Sequence, residues 1–492
     1  MSKFNKLSLA DVEEEGFKPL RKTYSEGGNK TQYSSTKPGS FKFKDPFADF
    51  FKYIDYREEI YVQRLREAVA IKSVSAWPDH RPEIMKMMSW CQGWIDKLGG
   101  ESELYANPLK EQKLDDGTTI PLPPILLGQF GNDPKKKMIY EGMEEYGSEG
   151  MFEAVNDLAK PGKFLDDVDF FCISDNYWLG KNKPCLTYGL RGMAYFEVGV
   201  ECGSQDLHSG VYGGTVHEAM IDLVRLMGSL VDPDGKILVD GVMKDVAEVT
   251  EEEEKMYETI DFDPEEYKKE CGVATIGKGE LLHKTKKDLL MARWRFPTLS
   301  LHGIEGAFSD PGAKTVIPRK VMGKFSLRLV PDQNPKQIAE VVTKHLEEEF
   351  SKINSPNKMW VKAHHGAKAW LSSTDHPNYE AAKSAVKTVF GQTPDMTREG
   401  GSIPIATWLE DATQMNVLLL PVGACDDMAH SQNEKFNKAN MMNAIKVLGV
   451  YLHEVAKIKG PKPSDCKCEP LSMEEMMIPG AFARGFRCKC EI

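Results

Sequence analysis

The sequence predicts an α/β protein with a mostly parallel sheet, interrupted by an inserted α+β domain. Short apolar runs at 125–127, 138–140 and 170–173 have the length of buried strands and alternate with helical patterns, as in sheets covered by helices. Between 193 and 377 the pattern changes to longer alternating strands and two amphipathic helices. Helix–strand alternation resumes over 378–459, so the first domain continues after the insertion.

The first part of the α/β domain, residues 46–192, begins with helices. Apolar side chains from Phe47 to Ile71 recur at helical spacing. A further helix is predicted from Ile84 to Leu98, where Gly99 and Gly100 end it. The three apolar strands follow this helix along the chain.

The inserted domain, residues 193–377, is predicted to be a small antiparallel sheet covered by two helices, a ferredoxin-like arrangement. Met193 to Glu201 alternates apolar and polar residues, as a strand with one open face does. The helices are predicted at 216–230 and 335–353, and the other strands at 298–302, 321–330 and 359–363. After the insertion the α/β domain ends with a helix at 440–457, so a functional site can draw residues from both sides of the insert.

Composition and charge argue against several classes of function. The chain has 492 residues, a net charge of −11 and no apolar run of the roughly 18–20 residues that span a bilayer. We therefore expect no nucleic-acid surface and no membrane anchor. The N-terminus lacks the hydrophobic core of a signal peptide. Six cysteines stand singly, which predicts buried free thiols in a cytoplasmic protein; they are Cys91, Cys172, Cys185, Cys202, Cys271 and Cys425.

Two terminal segments show no pattern of packed elements. Residues 1–45 are rich in Lys, Ser, Thr and Gly and are predicted to form a disordered arm. Near the other end, Cys466 and Cys468 with Cys488 and Cys490 could supply four thiolates to zinc. We favour a disordered tail with reactive thiols, because the loop between the two pairs is long and lacks turn residues.

Two adjacent carboxylates, Glu144 and Glu145, follow the strand at 138–140. Adjacent glutamates just past a strand can place one carboxylate on a metal ion and leave the other free as a general base. Without further context, such a pair is more often a solvated pair. A lone loop histidine such as His430 is usually structural, and His208 before Ser-Gly could simply cap a turn.

Several longer motifs favour functional over structural roles for these residues. They are VSAWPDHR (74–81), EGMEEYGSEG (141–150), ISDNYWLGKNKPCLTYGLRG (173–192), DLHSGVYGG (206–214), HGIEGAFSDPGAKTVIPRKV (302–321), TREGGSIP (397–404) and LPVGACDDMAHSQNEK (420–435). In this order they resemble the M20 metallopeptidase family, and within it the cytosolic dipeptidases. The resemblance implies hydrolysis of dipeptides, two divalent metal ions (zinc or manganese) and a homodimer.

The resemblance also implies roles for the carboxylates. Glu144 is expected to be the general base that takes a proton from a metal-bound water. Glu145 and His430 are expected to bind one metal and Asp175 the other. Asp175 and His430 would also lie against the substrate.

Four further residues are expected, by the same resemblance, to hold the substrate. His208 would act in catalysis and substrate binding by reaching from the inserted domain into the site of the partner subunit. Thr315, Arg328 and Ser402 would hold the carboxylate end and backbone of the substrate. A forked guanidinium is suited to a free carboxylate.

One family segment is absent from this chain. In the family, the strand that ends at Tyr140 continues into Gly-His-x-Asp-Val-Gln-Pro, which carries a metal histidine, and later into Asp-Asp-Lys-Gly, which carries the aspartate that bridges the metals. Here Glu141 follows Tyr140 directly, and no His-x-Asp occurs. Asp115 and Asp116 are predicted to lie in a surface hairpin.

The ligand count then decides the expected chemistry. Glu145 and His430 remain for one metal and Asp175 alone for the other, whereas catalytic zinc sites usually have three protein ligands. Asp426 or Asp427 could be recruited, but we expect them to support the ligands rather than bind metal. The sequence therefore predicts one weakly bound metal ion or none, and little or no hydrolysis.

Three interpretations stay open at this point. The first is a metal-dependent dipeptidase with some activity, in which the strand at 138–140 takes the vacated place in the sheet. The second is a catalytically silent subunit that dimerises with an intact chain. The third is an incomplete transcript that yields no folded protein.

Overall fold

A computed structural model describes residues 46–114, 116–130, 137–364, 366–431, 433–458, 468–470 and 486–488. The predicted disordered arm at 1–45 and the cysteine side chains of the predicted disordered tail lie outside the described residues. Met1–Asp49 forms one unit and Phe50–Ile492 another. No helix in the described part of the chain is long and apolar enough to cross a membrane.

The helices and strands follow the predicted order. The helices are α1 (Pro46–Tyr56), α2 (Glu58–Val69), α3 (Arg81–Lys97), α4 (Met151–Leu158), α5 (Ser209–Tyr212), α6 (Ala219–Gly228), α7 (Glu251–Thr259), α8 (Pro264–Glu270), α9 (Lys286–Trp294), α10 (Pro335–Ile353), α11 (Pro377–Phe390), α12 (Pro404–Thr413) and α13 (Lys438–Val455). The strands are β1 (Glu101–Tyr105), β2 (Glu111–Lys113), β3 (Thr119–Pro121), β4 (Ile125–Gln129), β5 (Lys137–Tyr140), β6 (Phe170–Ile173), β7 (Cys185–Leu190), β8 (Gly192–Glu201), β9 (Leu207–His208), β10 (Thr298–Glu305), β11 (Val316–Ile317), β12 (Lys320–Leu329), β13 (Lys358–Ala363), β14 (Trp370–Leu371), β15 (Asp395–Glu399), β16 (Asn416–Leu419), β17 (Cys468–Pro470) and β18 (Phe486–Cys488).

The α/β domain contains two larger sheets and one hairpin. Strands β1, β4 and β5 form an antiparallel sheet, and β2 pairs with β3 in the predicted surface hairpin. In the second sheet β6 is parallel to β16 and β15 is parallel to β7, while β14 is antiparallel to β7. The α/β class is confirmed, although parallel and antiparallel pairs are mixed. Strands β4 and β5 are antiparallel because only a short loop joins them, whereas parallel strands need a long crossover.

The strand at 138–140 does not take a place in the larger sheet. Among the described residues, β5 pairs with β4 alone and β6 pairs with β16 alone, so each is an edge strand. A strand inside a parallel sheet is normally buried on both faces. In β6, however, Phe171 and Ile173 are only half-buried and Cys172 is exposed.

A shared hydrophobic core still holds the two sheets together. Ile125 and Leu127 of β4 belong to the same buried cluster as Val417 and Leu419 of β16. Helices α4 and α12 cover this cluster, and Ile139 of β5 packs against it from the side. Full burial of each such aliphatic side chain stabilises a fold by about 1.5–3 kcal/mol.

The inserted domain has the predicted ferredoxin-like arrangement. Its strands lie in the order β10–β12–β8–β13, all antiparallel, and α6 and α10 cover one face. Phe196 and Phe325 stack in its core with ring centroids 5.1 Å apart. Helix α10 has the predicted bounds, whereas the helix predicted at 216–230 begins only at Ala219 because Glu218 has an extended backbone. The domain boundaries at 193 and 377 stay predictions.

The segment that carries α7, α8 and α9 leaves the inserted sheet and packs on the α/β domain. Tyr257 and Trp294 from this segment share a buried cluster with Trp178 and Cys185. Glu253, in the acidic run that begins α7, lies inward and binds two arginines, Arg295 and Arg398. This segment therefore ties the insertion to the sheet that precedes it.

The cysteine prediction is correct for bonding and mostly wrong for burial. All six singly placed cysteines are free, but of these Cys185 alone is buried. Cys172 is exposed because it lies on the unpaired edge of β6, and Cys271 is exposed just after α8. The other three are half-buried.

Candidate active site

The loop after β5 places Glu144 close to the ends of the larger sheet. Its first residue, Glu141, accepts hydrogen bonds from the Met143 N–H at 2.9 Å and from the Ser148 hydroxyl. The Ser148 N–H in turn donates to the Met143 carbonyl at 2.9 Å. Met143 is buried beside Ile84 of α3. The loop is therefore fixed by its own hydrogen bonds and by α3, without a neighbouring strand after β5.

Two further loops, after the parallel strands β6 and β16, bring Asp175 and His430 to the same place. The Trp178 N–H donates to the Gly423 carbonyl and the Trp178 indole to the Pro421 carbonyl, each at 2.9 Å. These bonds hold the two loops together. The carboxyl ends of parallel strands share one edge of a sheet, which is where α/β proteins usually bind ligands.

His430 faces Glu145 across the site. Its Nε2 lies 3.4 Å from Oε2 of Glu145. Two ligand atoms bound to one tetrahedral zinc at its usual bond lengths lie about 3.3–3.4 Å apart. The Glu145 and His430 atoms therefore have the spacing of two ligands of one zinc ion. His430 also has a φ of +65°, a left-handed conformation that costs a non-glycine residue on the order of 1 kcal/mol. Such strain is typical of functional loops.

The carboxylates of this group raise one another's proton affinity. Burial raises the pKa of Glu144 to about 7, and the nearby charges of Asp175, Glu145 and Glu141 add to the effect. The pKa of Asp175 is raised as well, first by partial desolvation and then by Glu145, while His430 lowers it. The four carboxylates and the imidazole of this group therefore lie close together; they belong to Glu141, Glu144, Glu145, Asp175 and His430.

The residues present do not fit the metal pair that the family resemblance implies. Among the described residues, no group of three or more histidines, cysteines or carboxylates is arranged to hold a metal ion. The two best-placed ligands are open to solvent, with side chains 79% exposed in His430 and 66% in Glu145. Asp426 and Asp427 are not recruited, because both pair with Lys435, at 3.1 Å and 2.8 Å.

A second group brings together two of the predicted substrate residues. Nη1 of Arg328, on β12, donates to the Ser402 hydroxyl oxygen at 3.2 Å. Ser402 donates in turn to the main-chain carbonyl of Arg191 at 2.6 Å. Arg328 belongs to the inserted domain and Ser402 to the α/β domain, so this pair lies where the two meet.

A third group contains His208 and Thr315. Strands β9 and β11 pair with His208 opposite Val316, and the Ser209 N–H donates to the Thr315 carbonyl at 3.1 Å. The His208 Nδ1 accepts the Gly210 N–H at 2.9 Å, so it does cap the short helix α5. His208 is exposed, and its described contacts join it to neither of the other two groups.

Sequence reasoning missed four residues at this site: Glu141, Arg191, Arg293 and Glu399. Three of them stand inside quoted motifs, because Glu141 opens EGMEEYGSEG, Arg191 is the third residue of GLRG and Glu399 lies in TREGGSIP. The motifs could have pointed to them, but their roles depend on contacts between distant segments. Glu399, for example, contacts Arg293 with 3.5 Å between Oε1 and Nη2.

Comparison with known proteins gives one consistent picture. Residues 188–354 match the peptidase dimerisation domain of the M20 peptidases. The Cys-Gly metallodipeptidase dug1 of Schizosaccharomyces pombe is 40% identical over 476 residues, covering 83% of this chain and 98% of that protein. The Beta-Ala-His dipeptidase of Rattus norvegicus is 40% identical over 477 residues, covering 83% of this chain and 95% of that protein. The solved structure of the dipeptidase Dug1p from Saccharomyces cerevisiae has a TM-score of 0.76 at 36% identity, covering 84% of this chain and 99% of that one.

Proposed function

Because this chain belongs to the M20 family of metallodipeptidases, we propose that it is a dipeptidase by descent whose metal site is incomplete. The observation that carries the proposal is the pairing of Glu145 with His430 beside Asp175, with no third ligand among the described residues. The chain would hold one metal ion weakly or none. Hydrolysis of dipeptides would be slow or absent.

The extent of the match supports the loss of a segment. The alignment has 476 positions and covers 98% of the Schizosaccharomyces pombe enzyme. It includes only 83% of the 492 residues of this chain, which is about 408 residues. The enzyme therefore has residues within the matched region that have no counterpart here. The unpaired edges of β5 and β6 also support the loss of a segment, because a further strand between them would join the two sheets. Sequencing the transcript across Tyr140 and Glu141 tests whether the junction is real.

Each of the remaining site residues would have a distinct role. Glu144, whose pKa is raised to about 7, would be the general base beside the site. Arg328 would bind the free carboxylate of a dipeptide through the parallel N–H groups of its guanidinium fork. Ser402 would position Arg328, because it accepts one of the Arg328 N–H bonds and donates its own proton to the Arg191 carbonyl. The relatives named for Cys-Gly and Beta-Ala-His dipeptides support dipeptides as the substrate class.

Hydrolysis assays with a matched variant test this proposal. The purified chain and its Glu144→Gln variant are assayed side by side on simple dipeptides with Mn²⁺ or Zn²⁺ present. We expect equal, background rates, together with at most one metal ion per chain after dialysis against trace metal. A wild-type rate clearly above that of Glu144→Gln would show that the site is complete and that a ligand was overlooked.

A second candidate function follows from the inserted domain, whose fold is complete. All four strands and both covering helices are present, and none of them depends on the sheet that lacks a strand. This domain would form a homodimer, or would pair a silent chain with an intact dipeptidase subunit and place His208 in the site of that partner. Free thiols fit a cytoplasmic location for either assembly.

The surface that would pair is the edge of β10 with the outer face of α6. Strand β10 is an edge strand, mostly exposed along its length, and carries the exposed Leu301 and Ile304. Helix α6 lies over β12 and presents the exposed Ile221 and Val224. Exposed edge strands pair readily with other chains. Co-expression with an intact relative, followed by native mass spectrometry, tests mixed pairing, and homodimers alone would exclude it.

A further inference from the structure

Three arginines meet at the junction of the two domains, with one carboxylate among them. Arg191 stands between β7 and β8, Arg293 lies in the last turn of α9, and Arg328 lies on β12. Glu399, at the end of β15, contacts Arg293 with 3.5 Å between Oε1 and Nη2. The same carboxylate acts electrostatically on Arg191 and on Arg328. The cluster therefore has an excess of positive charge.

Arg191 is held by neutral groups. Its Nε donates to the Gly400 carbonyl at 3.2 Å, and its Nη1 donates to the Phe296 carbonyl at 3.4 Å and to the Thr298 hydroxyl at 2.9 Å. Burial, followed by the charge of Arg328, lowers the pKa of Arg191 to about 10, and at that pKa the guanidinium stays charged at neutral pH. A buried cation beside other cations is costly unless an anion approaches.

The other two arginines have donors that a ligand can reach. The described bond from Arg328 to Ser402 uses one of its five N–H groups, and Arg328 is half-buried rather than enclosed. The Arg293 side chain is 26% exposed, and its contact with Glu399 is long. A guanidinium binds a carboxylate best through two parallel N–H bonds. The cluster thus offers two such forks to an anionic ligand.

We propose that Arg191, Arg293 and Arg328 form a dicarboxylate subsite that selects dipeptides with Asp or Glu as the C-terminal residue. Arg328, positioned by Ser402, binds the main-chain carboxylate, and Arg293 binds the side-chain carboxylate. Arg191 adds positive electrostatic potential without touching the ligand. A C-terminal Lys is rejected because it would place a fourth cation in the cluster. This inference rests on the proposed dipeptide site and names its substrate class.

Equilibrium binding tests the subsite without any need for turnover. Isothermal titration calorimetry compares Gly-Glu with its uncharged isostere Gly-Gln, and with Gly-Lys, on the full chain. We expect Gly-Glu to bind about tenfold more tightly than Gly-Gln, and Gly-Lys to bind most weakly. In Arg293→Gln the ratio of the Gly-Glu and Gly-Gln affinities falls to about one. A general loss of structure would weaken both ligands equally and leave that ratio unchanged.

Arg66→Gln, on an exposed position of α2, is the matched control and keeps the tenfold ratio. Equal affinity for Gly-Glu and Gly-Gln in the wild type, or a preference that survives in Arg293→Gln, overturns the subsite. Glutarate is titrated as a second probe. If no dipeptide binds, the proposed function fails; glutarate binding that requires Arg293 then still supports a dicarboxylate site, and its absence overturns that too.

Discussion

Glu253 reaches from the inserted segment to Arg398 on β15, with 2.9 Å between its Oε1 and the Arg398 Nη2. The same carboxylate contacts Arg295 at 2.9 Å, and the Arg295 side chain is 6% exposed. One buried anion thus joins α7, the end of α9 and the sheet. Because Glu399 follows Arg398 directly, this contact also sets the position of the loop that carries Ser402.

Replacing Glu253 by Gln should destabilise the fold strongly. Arg295 and Arg398 would keep their buried charges without a counter-charge, and breaking a buried ion pair in this way costs about 3–5 kcal/mol. We expect a loss of about 3 kcal/mol in the free energy of unfolding, measured by urea denaturation. Glu251→Gln, on the same helix but 89% exposed, should change it by less than about 0.5 kcal/mol. Equal effects of the two substitutions would show that Glu253 is not a structural link.

Strand β8 begins at Gly192, where no side chain fits. A Cβ at this position would lie 2.4 Å from the Ala367 carbonyl oxygen and 2.6 Å from the Ala369 nitrogen. Backbone atoms cannot rotate away, so Gly192→Ala should cost about 2 kcal/mol or more, read from thermal unfolding. Gly180→Ala, with open space around its Cβ, is the control. A Gly192→Ala protein as stable as that control would contradict the close approach.

Stability should depend on pH through Glu144. Its pKa rises from 4.5 to about 7 on folding, so between these values the folded chain binds more protons than the unfolded chain. The contribution of Glu144 to the free energy of unfolding therefore decreases as pH rises from about 4.5 to 7, and stays low above 7. Glu144→Gln should be more stable than wild type by about 1–2 kcal/mol at pH 8 and nearly equal at pH 4.

Denaturation curves at a series of pH values check this expectation. Glu153→Gln, on an exposed position of α4, serves as the control and should run parallel to wild type. If the Glu144→Gln and wild-type stabilities stay parallel across the same range, then the carboxylate cluster is not formed as described.

A charge on the exposed edge of the inserted sheet should prevent dimerisation. Leu301→Lys would place an ammonium group on β10, where Leu301 is 45% exposed. Lysine on an edge strand opposes strand pairing, so sedimentation velocity should show a shift from dimer to monomer. Ile276→Lys, 71% exposed after α8, should leave the dimer intact. A dimer that survives Leu301→Lys would place the interface on another surface.

The helical elements were predictable because their signals are local. Helix α10 has the bounds read from the sequence, since Asn334 caps it, Pro335 begins it and Asn354 ends it in a left-handed conformation. Strand directions were less predictable, because pairing joins residues far apart in the chain. β15, for instance, is parallel to β7 across the whole inserted domain.

The candidate site was predictable in composition and not in geometry. The sequence and its motifs named Glu144, Glu145, Asp175 and His430, and the structure brings these four together. It could not show that Asp426 and Asp427 pair with Lys435, or that Glu399 contacts Arg293. Those facts depend on how loops from separate strands fold against each other.

The sequence by itself determined the α/β class, the inserted domain and the identity of the acids, because periodicity and motifs are local features of the chain. The tertiary structure alone decided that the strand at 138–140 stays outside the main sheet and that three arginines face one glutamate. It also decided that Glu145 meets His430 without a third ligand in the part of the chain that the structure describes. These outcomes are set by distances between segments remote in sequence, where packing and charge, and not local pattern, fix what each side chain meets.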